Sequence, residues 1–384
     1  MDIAFLQTEA FRNLSDARLE FHPQLNLVVG DNGQGKTNLL EALAIVTGRP
    51  SFRTLDLVDV RQHGTARTVL TARRRGDGAT LGVVLADGAR EHYRDGEKVT
   101  RLAASRIAPF VFQTARDLGR LTGAPGERRR ALDRAALAQD PDYGRVLSAY
   151  EKARASKARL LALRHRFDAD ELTVYETTMA DAGAAVAVAR RRAAAALLPE
   201  IAANAARLKS TFRDLSLELA TDLPAEGTAE SFAAALRSAM HARSAEERRA
   251  GRCLVGPHRD DAILRAAGVP LATRASSGEN RTFVLAWTLA ELSLVAAAAG
   301  TAPALAFDDF DSEWDPAVLA AFARALPEGG QVFLTSARPE AVRGLPLPAG
   351  VLFRMTAGRL QREGILGAGR GEGTGARRAR AGAR

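Results

Sequence analysis

The stretch VVGDNGQGKTNLLEAL occupies residues 28–43, and its central eight residues, Gly30 to Thr37, fit the pattern G-x-x-x-x-G-K-T. An apolar run, Leu25 to Val29, enters it, and an amphipathic pattern, Asn38 to Leu43, leaves it. Strand, glycine-rich loop and helix in that order are the context in which a phosphate-binding loop works. Gly30, Asp31, Asn32, Gly33, Gln34 and Gly35 would form the loop. The backbone N–H groups of residues 32–37 would point inward and cradle a β-phosphate at the helix N-terminus. Lys36 would neutralise the β/γ oxygens, and Thr37 would place its hydroxyl on Mg2+. Lys36 is one of five lysines in a chain with 49 arginines, which points to a need for a compact ammonium rather than a planar fork. Such a loop fits a kinase, a pump, a motor or a switch, so the rest of the chain has to decide.

A second stretch, PALAFDDFDSEWDP (303–316), brings a buried-strand run, Ala304 to Phe307, to two adjacent carboxylates. Open α/β sheets bind ligands at the carboxyl ends of their strands. Asp308 would complete a Mg2+ shell, and Asp309 would polarise or orient an attacking water. A third stretch, ASSGENRTFVLAWTLAELSLV (275–295), sets Ser276 and Gly278 before an apolar helix pattern. Ser276 reads as an ordinary N-cap, worth about 1 kcal/mol. The same helix start also aims N–H dipoles at any anion placed before it.

The 384 residues leave room for two or three units, each with a core. Three zones emerge. Residues 1–118 alternate β-type runs (Val69–Ala72, Leu81–Leu85, Ile107–Phe112) with turns. Residues 119–251 turn to Ala, Arg, Leu and Glu with apolar spacing near 3.6, as in 131–140, 146–167 and 182–208, and read as a mainly helical lobe. Strand–helix alternation returns over 252–364, and a Gly/Ala/Arg-rich tail, 365–384, reads as disordered. The single Cys253 precludes an internal disulfide and fits a cytoplasmic chain. The N-terminus has no basic secretory start, and no uninterrupted apolar run is long enough to cross a bilayer, so no membrane partner is expected. The net charge of +9 is modest once the arginine-rich composition is discounted, and by itself it leaves DNA binding open.

Seven segments carry a resemblance: FRNL (11–14), GDNGQGKTNLLEAL (30–43), SFRT (51–54), GAPGERRRALDR (123–134), LVGPHRDD (254–261), SSGENR (276–281) and DDFDSEWD (308–315). On these the chain resembles the RecF family, bacterial recombination and gap-repair ATPases of the ABC-type group that includes SMC and Rad50 proteins. The resemblance implies an α/β, ABC-type (SMC/Rad50-like) P-loop ATPase head split by an inserted mainly helical lobe. It implies ATP and Mg2+ as cofactors. It also implies an ATP-dependent homodimer, in which Ser276, Gly278, Glu279 and the D-loop acid Asp315 meet the nucleotide held by the other subunit. Double-stranded DNA and gap junctions, the RecO and RecR mediators and a nucleoid-associated cytoplasmic location follow from the same source. So does slow hydrolysis that helps to load the recombinase.

Several positions depart from the ABC pattern. Glu279 stands where Gln is common, Asp309 replaces the usual Glu, and Trp314 replaces Leu. Gln113 is the candidate sensor glutamine, but Ala115 and Arg116 follow it in place of Pro-Glu. Thr335 or Ser336 falls near the usual switch histidine, where neither can act as a base. Arg128, Arg129 and Arg130 could meet phosphates or form a solvated face. His258 to Asp261 read as an ion-pair corner or as a link from the head to a DNA surface. The alternatives to a gap-repair ATPase are an SMC/Rad50-like DNA-tethering subunit, which would need a long heptad coil that this chain lacks, and a P-loop kinase, which would have no use for Ser276 or Gly278.

Overall fold

The computed structural model describes residues 2–366 apart from 55, 57, 87, 115–116, 118–121, 164–168, 312–313 and 343. The N-terminal part runs β1 (Ile3–Glu9), β2 (Ala17–Glu20), β3 (Leu25–Val29), α1 (Lys36–Val46), β4 (Arg67–Arg74), β5 (Thr80–Ala86), β6 (Ala89–Arg94), β7 (Glu97–Val99), α2 (Arg101–Ile107) and β8 (Phe110–Gln113). A largely helical stretch follows: α3 (Pro125–Gln139), α4 (Tyr143–Ala162), α5 (Ala169–Arg207), β9 (Leu215–Ala220), α6 (Ala229–Ala242) and α7 (Ser244–Ala250). The chain then forms β10 (Asp261–Ala266), β11 (Val269–Pro270), α8 (Leu271–Arg274) and α9 (Ser277–Ala299). It closes with β12 (Ala304–Phe307), α10 (Pro316–Ala325), β13 (Val332–Ser336), β14 (Gly350–Thr356) and β15 (Arg359–Leu366).

Strands from both ends of the chain build one central sheet, in the order β15-β14-β3-β13-β12-β8. All neighbours in it are parallel except the β14–β15 hairpin. β3, β12 and β13 are buried at every position, as strands covered on both faces must be. The period-2 alternation of β3 sends Val28 into one core and Leu25, Leu27 and Val29 into the other. On the Val28 side lies α1, roofed by a second, antiparallel sheet in the order β2-β1-β4-β5-β6-β7. On the other side lie α9 and the helices of the middle stretch.

Two differences from the sequence reading have physical causes. Ile107 closes α2, capped by the Thr100 side chain, so strand structure begins only at Phe110. The stretch 119–251 contains β9, which pairs with β10 in the register Asp261↔Ala220 and so crosses the division at 251/252. Its Leu-Ser-Leu-Glu-Leu alternation is a strand signal short enough to hide among helices. Helix α9 is long and apolar enough, by length and composition, to cross a membrane, although Glu291 interrupts its apolar run. It is a core helix: Thr282 to Leu292 are buried continuously against α3 and α5. Ile365 and Leu366 end β15; the remainder of the proposed tail, and the 118/119 boundary, lie outside the described residues.

Candidate functional site

The parallel strands β3, β8, β12 and β13 place Gly30, Gln113, Asp308 and Ser336 at their carboxyl ends, at or beside one sheet edge. Residues 30–35 form the loop, with Asp31, Asn32 and Gly33 exposed and Gly35 acting as N-cap of α1. A side chain is excluded at Gly30, where a Cβ would lie 2.4 Å from the Met355 carbonyl oxygen. The loop is braced from two sides. Asn13 Nδ2 donates to Gly33 O (3.1 Å) and its Oδ1 accepts from Asn38 (2.6 Å). From the β14–β15 turn, Ala357 N donates to Gln34 Oε1 (2.6 Å) and Gly358 N to Gln34 O (2.9 Å). Gly358 has φ +77°, and a Cβ there would sit 1.8 Å from Asn13 O, so the turn reaches the loop only as glycine.

Lys36 is buried, and its ammonium donates to Gly30 O (2.7 Å) and Asp31 O (3.1 Å). Thr37 Oγ1 donates to Asp308 Oδ2 (2.8 Å), so residues 271 positions apart share one hydrogen bond. The other oxygen, Asp308 Oδ1, accepts from Thr335 Oγ1 (2.7 Å). Thr335 in turn accepts from the backbone N of Asp309 (2.8 Å). Asp309 is held at φ +46°, and its Oδ1 is buried with no hydrogen-bond partner among the described residues. Burial, reinforced by the charges of Asp308 and Asp311 and offset by Lys36, holds its carboxyl above the ordinary range. Two adjacent carboxylates therefore have different surroundings: each oxygen of Asp308 accepts from one hydroxyl, and Asp309 keeps a buried oxygen with no partner among the described residues.

The arrangement also shows what lay hidden in the short motifs. Arg12 of FRNL makes a two-point bond with Glu41 of α1, Nε to Oε2 at 2.9 Å and Nη2 to Oε1 at 2.8 Å. Ser51 Oγ of SFRT donates to the same Glu41 Oε1 (2.6 Å), and Arg53 reaches Asn38 Oδ1 (2.5 Å). Three separate segments are one polar clamp around a wholly buried carboxylate behind the loop. Glu41→Ala would leave the Arg12 guanidinium without its carboxylate, with only the Asp59 carbonyl still accepting from it, and we expect it to cost about 3 kcal/mol. A urea melt checks this: the midpoint falls at unchanged slope, and a loss below about 1 kcal/mol would contradict it. In sequence Thr335 stands out only for its place near the usual switch histidine, and Asn13 only as part of FRNL; neither reading gives the contacts seen here. Only the adjacency of β13 and β12 reveals the first.

The other sequence-selected residues are distributed as follows. Ser276 Oγ accepts from Glu279 N (3.3 Å) while Glu279 Oε2 accepts from Ser276 N (2.8 Å), a reciprocal capping box at the exposed start of α9. That exchange holds the Glu279 carboxyl below its ordinary value. Gly278 is exposed beside it, and among the described residues this turn makes no hydrogen bond to the loop at 30–37. Asp315 is exposed and caps α10 through Ala317 N (2.7 Å). Trp314 packs edge-to-face on Phe307, 6.3 Å between ring centres. Gln113 is wholly buried, and its Oε1 accepts from Thr288 of α9 (2.7 Å); its side chain joins the strand to that helix. Ala115 and Arg116 lie outside the described residues.

Arg128 and Arg129 are engaged within the protein rather than lying on a fully solvated face. Arg128 makes a two-point bond with Asp261 (2.6 Å each), and Arg129 donates to Asp260 O (2.5 Å); Arg130, paired with Glu127, alone lies mostly outside. His258 lies between Tyr150 Oη (2.6 Å) and Cys253 O (3.2 Å). GERRR and GPHRDD are thus two sides of one ion-pair corner that joins α3 to β10.

A family profile described as "AAA domain" matches residues 6–65. The DNA replication and repair protein RecF of Myxococcus xanthus is 34% identical over 356 residues, covering 90% of this chain and 93% of that protein. Its counterpart from Symbiobacterium thermophilum is 36% identical over 376 residues, covering 93% and 97%. Among solved structures, the recombination mediator protein RecF bound to ATP superposes with a TM-score of 0.82 at 23% identity, covering 94% of this chain and 97% of that one. An Smc head bound to the C-winged helix domain of ScpA superposes with a TM-score of 0.55 at 16% identity, covering 96% and 98%. The fold is that of ABC/SMC-like P-loop ATPase heads.

Proposed function

The chain belongs to the RecF family of DNA replication and repair proteins, and on that premise we propose that it is an ATP-dependent DNA-binding protein of recombinational gap repair. The observation that carries the reading is the Thr37–Asp308 hydrogen bond, which joins the two halves of a nucleotide site encoded at opposite ends of the chain. The loop amides and Lys36 bind the phosphates of ATP. Thr37 and Asp308 are hard oxygen donors carrying one charge between them, a set that fits Mg2+ shared with phosphate oxygens. Mg2+ held there would neutralise charge on those oxygens. Asp309, with its unpaired oxygen at the same edge, accepts a hydrogen bond from the attacking water and orients it. Thr335 positions both aspartates without titrating. An Asp in place of a Glu is one methylene shorter, which suits slow turnover.

The exposed Ser276–Gly278 turn and Asp315 serve a nucleotide bound by a second copy of the chain, so that ATP is shared between two subunits. The γ-phosphate gives the dimer contacts that the separated subunits lack, and hydrolysis removes them. Association in turn doubles the basic surface offered to duplex DNA next to a single-strand gap, and ATP and DNA must raise each other's affinity by the same factor. Handing the gap to the recombinase, with RecO and RecR as mediators, follows from membership of the family and would act at the nucleoid.

Sedimentation velocity with and without ATP tests this reading. The wild-type chain should shift to a dimer with ATP. Ser276→Arg should stay monomeric while its ATP affinity stays within about twofold of wild type; the missing cap costs about 1 kcal/mol, too little to unfold the chain. Loss of ATP binding together with dimerisation would count against the shared site.

A further inference from the structure

At the edge of the antiparallel sheet, β6, β7 and the start of α2 surround an open cavity of about 590 Å3, lined by Arg90, Glu91, His92, Lys98, Thr100 and Arg101. It lies at the C-terminal end of α1, because Arg101 Nη1 donates to Gly48 O and Arg90 Nη1 to Arg49 O, both at 3.5 Å. An 11-residue helix is roughly 16 Å long, so this cavity is remote from the phosphate loop at the other end of α1. His92 is 3% exposed, and among the described residues neither of its ring nitrogens has a hydrogen-bond partner.

The charge around the cavity is one-sided. Glu91 is the one carboxylate among the described lining residues, and it is bound by Tyr93 Oη (2.6 Å) and Lys98. Behind the lining stands Arg49, whose Nε is buried without a partner. Arg49 also feels Glu291, but that carboxylate already accepts from Trp287 and pairs with Arg134. Burial, then Arg134 and Arg101, brings Arg49 down to about 10; burial and Arg101 bring Arg90 to about 10; and burial with Arg90 and Arg101 brings His92 to about 4. A histidine buried with both nitrogens unbonded costs free energy that a ligand with hydrogen-bonding oxygens would recover.

We propose that this corner is an oxyanion site that takes a phosphate group between Arg90, Arg101 and His92. Guanidinium forks match tetrahedral phosphate oxygens in pairs, and a neutral imidazole can add an N–H donor or take up a proton as the anion arrives. The site opens along an edge strand, so a polymer can pass across it, and backbone phosphate of DNA suits it better than free phosphate. Only that choice of source rests on the DNA-binding reading above.

The test uses the full chain labelled with 13C-histidine, titrated as the Lys36→Ala variant with inorganic phosphate and with polyglutamate, so that the loop does not compete, and with Lys36 intact and ATP bound with a 20-base-pair duplex. Phosphate and duplex should each move the His92 signal and raise its titration midpoint, and Arg90→Gln/Arg101→Gln should abolish that response. On duplex the double variant should bind roughly fivefold more weakly, with a salt slope shallower by about 0.9 for each phosphate that is no longer neutralised. A response to phosphate without duplex binding would support the site and overturn DNA as its source, together with the reading above. Duplex binding that leaves His92 unmoved and is unaffected in the double variant would overturn the site alone. Movement with polyglutamate but not with phosphate would overturn it as well.

Discussion

Lys36→Ala weakens ATP binding by roughly two orders of magnitude and removes the ATP-induced dimer. Hydrogen bonds to a charged group contribute about 1.5–3 kcal/mol each, and about 2.7 kcal/mol corresponds to a hundredfold in affinity. The ammonium is already directed at the loop, where it donates to Gly30 O and Asp31 O, so ATP needs only to exchange carbonyl partners for phosphate oxygens. Lys36→Arg should not restore binding, because a planar fork is too large for a residue that is only 5% exposed. Calorimetric titration of ATP checks the affinity and sedimentation the assembly. An alanine variant that binds ATP as the wild type does would remove the loop from the mechanism.

Asp309→Asn separates binding from hydrolysis. The amide is nearly isosteric, and the bond that fixes this residue comes from its backbone N to Thr335, which the substitution leaves in place. ATP affinity and the ATP-dependent dimer should therefore persist. The hydrolysis rate should drop roughly 10²–10⁴-fold, the contribution of a positioned general base. The pH dependence has a definite sign. Asp309 orients water only when ionised, and burial together with Asp308 raises its pKa. Hydrolysis therefore rises with pH as Asp309 ionises and falls on acidification, with Mg2+ on Asp308 drawing that limb back toward lower pH. The amide variant lacks that limb, since it has no proton to lose there. Single-turnover measurements across pH read both effects, and an unaltered rate would move the base elsewhere.

Much of this site was legible because its parts are local. Gly30 to Thr37 is a continuous stretch in which strand, loop and helix chemistry agree, and Ala304 to Asp309 is a short buried strand with its acids attached; β3 and β12 have the predicted limits. Capping at Ser276 is equally local, since the capping box spans only four residues. Patterns of this kind depend on backbone propensity and on the period of side-chain burial, both of which are set by neighbours along the chain.

Other features had no local signal. The role of Thr335 exists only because β13 lies between β3 and β12. Gly358 matters because a hairpin more than 300 residues away in sequence touches the loop through its backbone, at Gln34. β9 was missed because six alternating residues among long helices carry less weight than the partner strand that holds them. The apolar α9 looks membrane-length in isolation, and its burial depends on helices from elsewhere in the chain.

The phosphate loop, the acidic strand end, the capped helix start and the family to which they belong could all be read before any fold was known, because each is written in contiguous residues. Packing in three dimensions was needed to show that Arg12, Glu41, Ser51 and Arg53 form one clamp, that Arg128 and Arg129 meet carboxylate and carbonyl partners across the chain, and that His92 lies unsatisfied among arginines. Pairings of charge and hydrogen bond across long sequence separations are selected by which surfaces the packed sheets and helices bring together, and no single segment carries that information.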